Sequence, residues 1–185
     1  MGDSLIKDIR NELWNIRAIH GGIPIDLRDW VHDRPDIVRR MENVVILAGG
    51  YAVCTRPDSN KTPTSPESTA RQIFSLVWKL RREGVGTVRV LGIPKRRNEE
   101  DMRKRNPETS GSENPKRRKK EACKTGQNSN ISRLNDILRS NERKEGYRFV
   151  GMGDIAARDC FQDDGVHLSE KGVCALANIL RRSCL

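Results

Sequence analysis

The sequence is poor in aromatic and apolar side chains. Three Trp, two Tyr and three Phe make up 4% of its 185 residues, and all hydrophobic residues together reach 35%, low for a globular chain. No apolar run approaches the roughly 18 to 20 residues of a membrane helix, and no signal-peptide pattern opens the chain. The five cysteines (Cys54, Cys123, Cys160, Cys174, Cys184) are odd in number and lack any C-x-x-C spacing, which argues against a zinc cluster or a disulfide framework. A reducing compartment, cytoplasmic or nuclear, is the expected location. His20 and His32 lie twelve residues apart without acidic partners at ligand spacing, so they read as structural and no metal or other cofactor is expected. Gly49-Gly50 is not followed by Lys-Ser/Thr, so it is not a phosphate loop. Met1-Gly2 lacks the Ser or Thr that myristoylation requires and has Ile6 there.

What the chain does have is charge. Asp, Glu, Lys and Arg make up 32% of it, with a formal net charge of +10. Such a balance fits an acidic partner such as nucleic acid, or simply a surplus of cations on solvated faces. The length suits one domain with a core.

Helical spacing of Leu5, Ile6, Ile9 and Leu13 predicts a helix from Ser4 to Trp14, and a β-like run follows over Asn15–His20. Asp26–Met41 reads as a helix broken by Pro35. Asn43–Ala48 is a continuous apolar strand of the kind covered on both faces. Residues 51–64 read as a polar loop. Ser65, Pro66 and Glu67 open a further helix that Gly84 stops. Strands at Thr87–Ile93 and Tyr147–Met152 and helices at Ile131–Lys144 and Ser169–Arg182 complete the pattern. Helices and strands alternate strictly, which predicts an α/β fold: a three-layer αβα sandwich around a parallel sheet, with its site at the carboxyl ends of the strands.

Residues 94–130 interrupt this pattern with almost no large apolar side chain. Lys95–Lys124 holds twelve basic and six acidic residues, a net +6. Disorder is expected here, because such a segment cannot bury enough surface to offset its ordering entropy. The domain is thus expected to comprise 1–93 and 131–185. The run Lys116-Arg117-Arg118-Lys119-Lys120 after Pro115 reads as a localisation signal or phosphate-binding patch, or as a solvated loop without a partner. No aromatic residue interleaves it, so base stacking is not indicated.

Two short motifs carry chemistry. Gly2-Asp3-Ser4-Leu5 precedes the first helix, and Asp164-Gly165-Val166-His167-Leu168-Ser169 precedes the last, which contains Gly172. Singly, Ser4 reads as a helix cap and Asp164-Gly165 as a turn. Jointly, in this order, they resemble the first and last blocks of the SGNH (GDSL) hydrolase superfamily. Gly22 and Val45–Gly50 stand where that family has its second and third blocks. The small size, the Asp-Gly-Val-His-Leu-Ser wording and the basic insertion are also similar to the esterase-like domains in first-reading-frame proteins of some non-LTR retrotransposons.

The resemblance implies a flavodoxin-like sheet and a serine esterase acting on a small carboxylic ester. Ser4 would be the nucleophile, His167 the general base and Asp164 its orienting carboxylate, with the backbone N–H groups of Ser4 and Gly22 binding the oxyanion. Two departures bear on activity. Tyr51 stands where the family has an oxyanion asparagine, a donor whose loss typically costs ~10²–10³ in rate. The strand expected to precede the family's serine is not in this sequence, where only Met1 precedes Gly2, so either the chain is a fragment or a truncated gene model, or a rearranged sheet is expected. The alternative is a catalytically impaired domain of the same fold that binds nucleic acid through its basic insertion.

Overall fold

The computed structural model describes residues 23–54, 64–96, 115–155, 158–162 and 165–184, with the side chains of 115–126 outside that description. The helix expected over Ser4–Trp14 and the strand expected over Asn15–His20 lie outside the described residues.

Helix α1 (Pro24–Asp33) opens with Pro24 in its first turn, and the Asp26 carboxylate accepts from the Ile23 N–H at 2.8 Å. Pro35 separates it from the short α2 (Pro35–Val38), as its missing N–H and fixed φ require. Strand β1 (Asn43–Ile46) follows, then the one-turn helix α3 (Gly50–Val53), which lies partly within the stretch expected to be a loop. Helix α4 (Pro66–Arg82) is capped by Ser65, whose hydroxyl accepts from the Ser68 N–H at 3.1 Å. Its buried stripe, Ala70, Ile73, Val77 and Leu80, keeps helical spacing. Strand β2 (Thr87–Leu91), helix α5 (Pro115–Glu145), strand β3 (Arg148–Val150), two 3₁₀ turns (Gly153–Ile155 and Arg158–Cys160) and helix α6 (Glu170–Cys184) complete the described chain.

The three strands form a parallel sheet in the order β1-β2-β3. Val44 and Ile46 of β1 lie opposite Val88 and Val90 of β2, and all four are buried. The intervening row, Val45, Arg89 and Arg148, points to the other face. Phe149, level with Val90, takes the Arg139 guanidinium of α5 over its ring at 5.2 Å. That places α5 on the Val90 face. Helices α1, α4 and α5 pack together as one layer, whereas α6 packs on the two 3₁₀ turns. Such a parallel sheet between helices is the αβα architecture expected from the alternating pattern.

Helices α4 and α5 run parallel. Arg133 pairs with Glu67 at 3.0 Å near the start of α4, and Arg81 near its end donates to the Gly146 carbonyl at 3.1 Å. Between these ties, Tyr147 stacks near Phe74 and donates its hydroxyl to the Leu138 carbonyl at 2.5 Å.

Helix α5 differs from expectation. The helix expected over Ile131–Lys144 begins at Pro115, so 115–130, part of the segment expected to be disordered, is helical. A helix satisfies its own backbone and does not need a large apolar side chain in every turn. Here polar side chains anchor it. The Asn135 carboxamide accepts from the Ile93 N–H and donates to the Ile93 carbonyl, both at 2.8 Å. Two turns earlier, Asn128 accepts from the Arg96 N–H at 2.8 Å and donates to the Arg96 carbonyl at 2.7 Å. Two amides seven residues apart thus hold the extended segment that follows β2.

Candidate active site

Parallel strands direct their carboxyl ends to one edge, and the chain segments that leave β1, β2 and β3 there build the candidate site. After β1, the buried Leu47 and Ala48 lead to Gly49, whose φ of +113° turns the chain directly into α3. Tyr51 lies half-buried in that helix. The residues after β2 are held by Asn135 and Asn128. Arg96 also donates to Gln127 Oε1 at 3.1 Å and to the Cys54 carbonyl at 3.4 Å, joining this segment to α3 and α5.

The chain after β3 forms the loop that carries His167. Phe161 and Leu168 make an antiparallel bridge. Between them, the Gln162 N–H donates to the His167 carbonyl at 2.8 Å, and the Gly165 N–H donates to the Gln162 carbonyl at 2.9 Å. Gly165 has a φ of +66°, which closes the turn at little steric cost. The Gln162 side chain adds a bond to the Leu168 carbonyl at 3.0 Å. His167 is half-buried on this loop, one turn of chain before α6.

The loop is fastened to the start of α6. The Ser169 N–H donates to the Cys160 carbonyl at 2.9 Å, its hydroxyl donates to the Asp159 carbonyl, and that hydroxyl accepts from the Gly172 N–H at 3.2 Å. Ser169 is thus the cap of α6 and the tie to the preceding turn. Lys171 pairs with the Asp159 carboxylate, and this partner raises the lysine's pKa. Burial pushes the neighbouring Cys160 thiol up, with the Asp159 charge adding to it. Gly172 lies so close to the turn that a Cβ there would sit 2.0 Å from the Cys160 carbonyl oxygen. No side chain larger than hydrogen fits.

Of the residues singled out in the sequence, Tyr51 lies in the one-turn helix that follows β1, and His167 on the loop that precedes α6. Ser4, Gly22 and Asp164 lie outside the described residues. Lys116, Arg117, Arg118, Lys119 and Lys120 stand on helical backbone in α5. Gln162, Arg96, Asn128 and Asn135 were not among them. The one signal for the two asparagines is their seven-residue spacing in phase with buried Ile131, Leu134 and Leu138. Among the described residues, no group of three His, Cys, Asp or Glu side chains could hold a metal ion. No described helix is long and apolar enough to cross a membrane.

No protein-family model and no curated protein matches the sequence. Solved structures do match the fold. A protein described as a GDSL-like lipase from Parabacteroides merdae ATCC 43184 superposes with a TM-score of 0.67 at 13% identity, over 98% of this chain and 91% of its own. An acetyl xylan esterase, AlAXEase, gives 0.65 at 16% identity, over 91% of this chain and 79% of its own. A catalytic mutant of Axe2, an acetylxylan esterase from Geobacillus stearothermophilus, gives 0.64 at 16% identity, over 96% and 76%. The likeness is one of architecture: the chain has the α/β fold of SGNH-type hydrolases, with a parallel sheet flanked by helices.

Proposed function

We propose that the protein is a serine esterase that uses Ser4, His167 and Asp164. The observation that supports this reading is the hydrogen-bonded, fastened loop that carries His167 immediately before the last helix. A general base needs such restraint, because proton transfer depends on a fixed distance to the nucleophile. The sequence order, with Ser4 near one end of the chain and Asp164-Gly165-Val166-His167 near the other, supports the same roles.

In the proposed reaction His167 removes the Ser4 hydroxyl proton as the oxygen attacks the ester carbonyl. Asp164 orients the imidazole and stabilises its cation. The tetrahedral oxyanion is held by the backbone N–H groups of Ser4 and Gly22. Collapse expels the alcohol, which takes the proton from His167. Water then attacks the acyl-enzyme by the same route and releases the acid. Tyr51, in place of an amide donor, would contribute through its hydroxyl from a longer side chain, so the turnover number should be low for such an enzyme. Neighbours described as acetylxylan esterases make a short acyl ester the natural first substrate. The test is hydrolysis of 4-nitrophenyl acetate by the purified protein. Ser4→Ala and His167→Ala should each abolish it, and equal rates in all three proteins would refute the proposal.

A further inference from the structure

Helix α5 is 31 residues long, about 46 Å at 1.5 Å per residue. Its second half runs level with α4, from the Arg133–Glu67 pair to the Arg81–Gly146 bond. Towards its N-terminus it passes the carboxyl edge of the sheet, holding Ile93 with Asn135 and then Arg96 with Asn128 and Gln127. Beyond Gln127 the helix continues through residues 115–126, roughly another 18 Å in the same direction.

This stretch contains Lys116, Arg117, Arg118, Lys119, Lys120 and Lys124 against the single acid Glu121, six charges minus one, a net +5. Its first turn has no acidic residue. Cations at a helix N-terminus oppose the macrodipole, so the arm is electrostatically unfavourable by itself. Thr125, Gly126, Asn128, Ser129 and Asn130 then add a run of weak helix formers where it joins the body. A polyanion lying along the arm would relieve both the mutual repulsion and the opposed dipole. None of the esterase chemistry calls on it.

We infer that residues 115–126 form a basic helical arm that binds the phosphate backbone of nucleic acid. Charge density favours this partner: duplex DNA presents one negative charge per about 1.7 Å, so roughly 18 Å of arm faces about ten phosphates. A lipid surface fits poorly, because a membrane-lying helix needs an apolar face and this stretch offers only Ala122 and Cys123. The arm holds no aromatic residue, so the contact is with the backbone and carries little sequence preference.

The inference stands apart from the esterase reading and is tested without an activity assay. Fluorescence anisotropy of the full-length protein with a labelled duplex DNA and a labelled single-stranded RNA, each of about 20 nucleotides per strand, is measured from ~50 to ~200 mM salt. With about five charges engaged, the log–log salt slope should be about −4.5 for the duplex or −3.5 for the single strand, and these arms tell which form is preferred. Neutralising Lys116, Arg117, Arg118, Lys119 and Lys120 to Gln should weaken binding at least about a hundredfold at low salt. Neutralising five exposed cations elsewhere (Arg40, Arg71, Arg143, Lys144 and Arg181) to Gln should weaken it far less. Failure of both nucleic acids to bind at ~50 mM salt would overturn the inference. So would equal losses in the two variants, or binding to phosphatidylserine vesicles with none to nucleic acid.

Discussion

The Gln162 backbone N–H donates to the His167 carbonyl at 2.8 Å, and the Gln162 side-chain amide reaches the next carbonyl, Leu168, at 3.0 Å. One residue thus spans the loop twice and sets where the histidine emerges. Replacing it with Ala removes the side-chain bond and leaves the backbone bond to hold the turn. The unfolding free energy should fall by less than about 1.5 kcal/mol. The turnover number on a nitrophenyl ester should fall at least about tenfold with little change in KM, because small displacements of a reacting group are costly. Unchanged turnover would show that the backbone bond alone positions the loop.

Gly172 packs its Cα against the Cys160 carbonyl, where a methyl group would stand 2.0 Å from the oxygen. Gly172→Ala must push α6 away from the turn and disturb the Ser169 bonds with it. A loss of about 3 kcal/mol in urea unfolding is expected. Gly151→Ala, where a Cβ meets nothing within 4 Å, serves as the control and should stay within about 0.5 kcal/mol.

Asn135 satisfies both backbone groups of Ile93, and Asn128 both of Arg96. Either Asn→Ala change strands a partly buried N–H and a carbonyl, so each should cost about 2 kcal/mol. The sites lie seven residues apart on one helix, about 10 Å, and the double variant should show the sum of the single losses. A double variant no worse than either single one would mean that the segment after β2 is held as one unit.

Tyr147 donates its hydroxyl to the Leu138 carbonyl, and burial, with the Glu145 and Glu142 charges, holds its phenol well above the usual range. The folded state therefore keeps this proton after the unfolded chain has lost it. The contribution is complete below the ordinary phenol value of about 10 and shrinks as pH rises beyond it. Urea unfolding from about pH 9 to 11 should show a steeper alkaline decline in the wild type than in Tyr147→Phe. Parallel curves would contradict the linkage.

The fold was legible where local chemistry and tertiary packing agree. Ser65, Pro66 and the Ile73–Val77–Leu80 stripe announce α4, and the run from Val44 to Leu47 announces a covered strand. The first half of α5 was not legible, because Asn128 and Gln127 look like solvated polar residues until the segment after β2 is seen against them. The one-turn α3 was hidden for another reason: residues 51–64 read as a polar loop, whereas a left-handed Gly49 starts a helix over Gly50–Val53. At the site, Asp164-Gly165 signalled a turn before His167. Gln162 carried no such mark, since its role depends on a bridge between Phe161 and Leu168 that only the folded loop forms.

The proposed chemistry passes through one covalent species, an acyl group on the Ser4 oxygen. Rapid quench of the protein with a short-chain nitrophenyl ester, followed by proteolysis and peptide mass spectrometry, reads it directly. The expected result is an acyl adduct on the peptide containing Ser4, strongly reduced in His167→Ala and absent in Ser4→Ala. Ester turnover with no adduct on that peptide, or with the same adduct pattern after Ser4→Ala, would contradict the assignment.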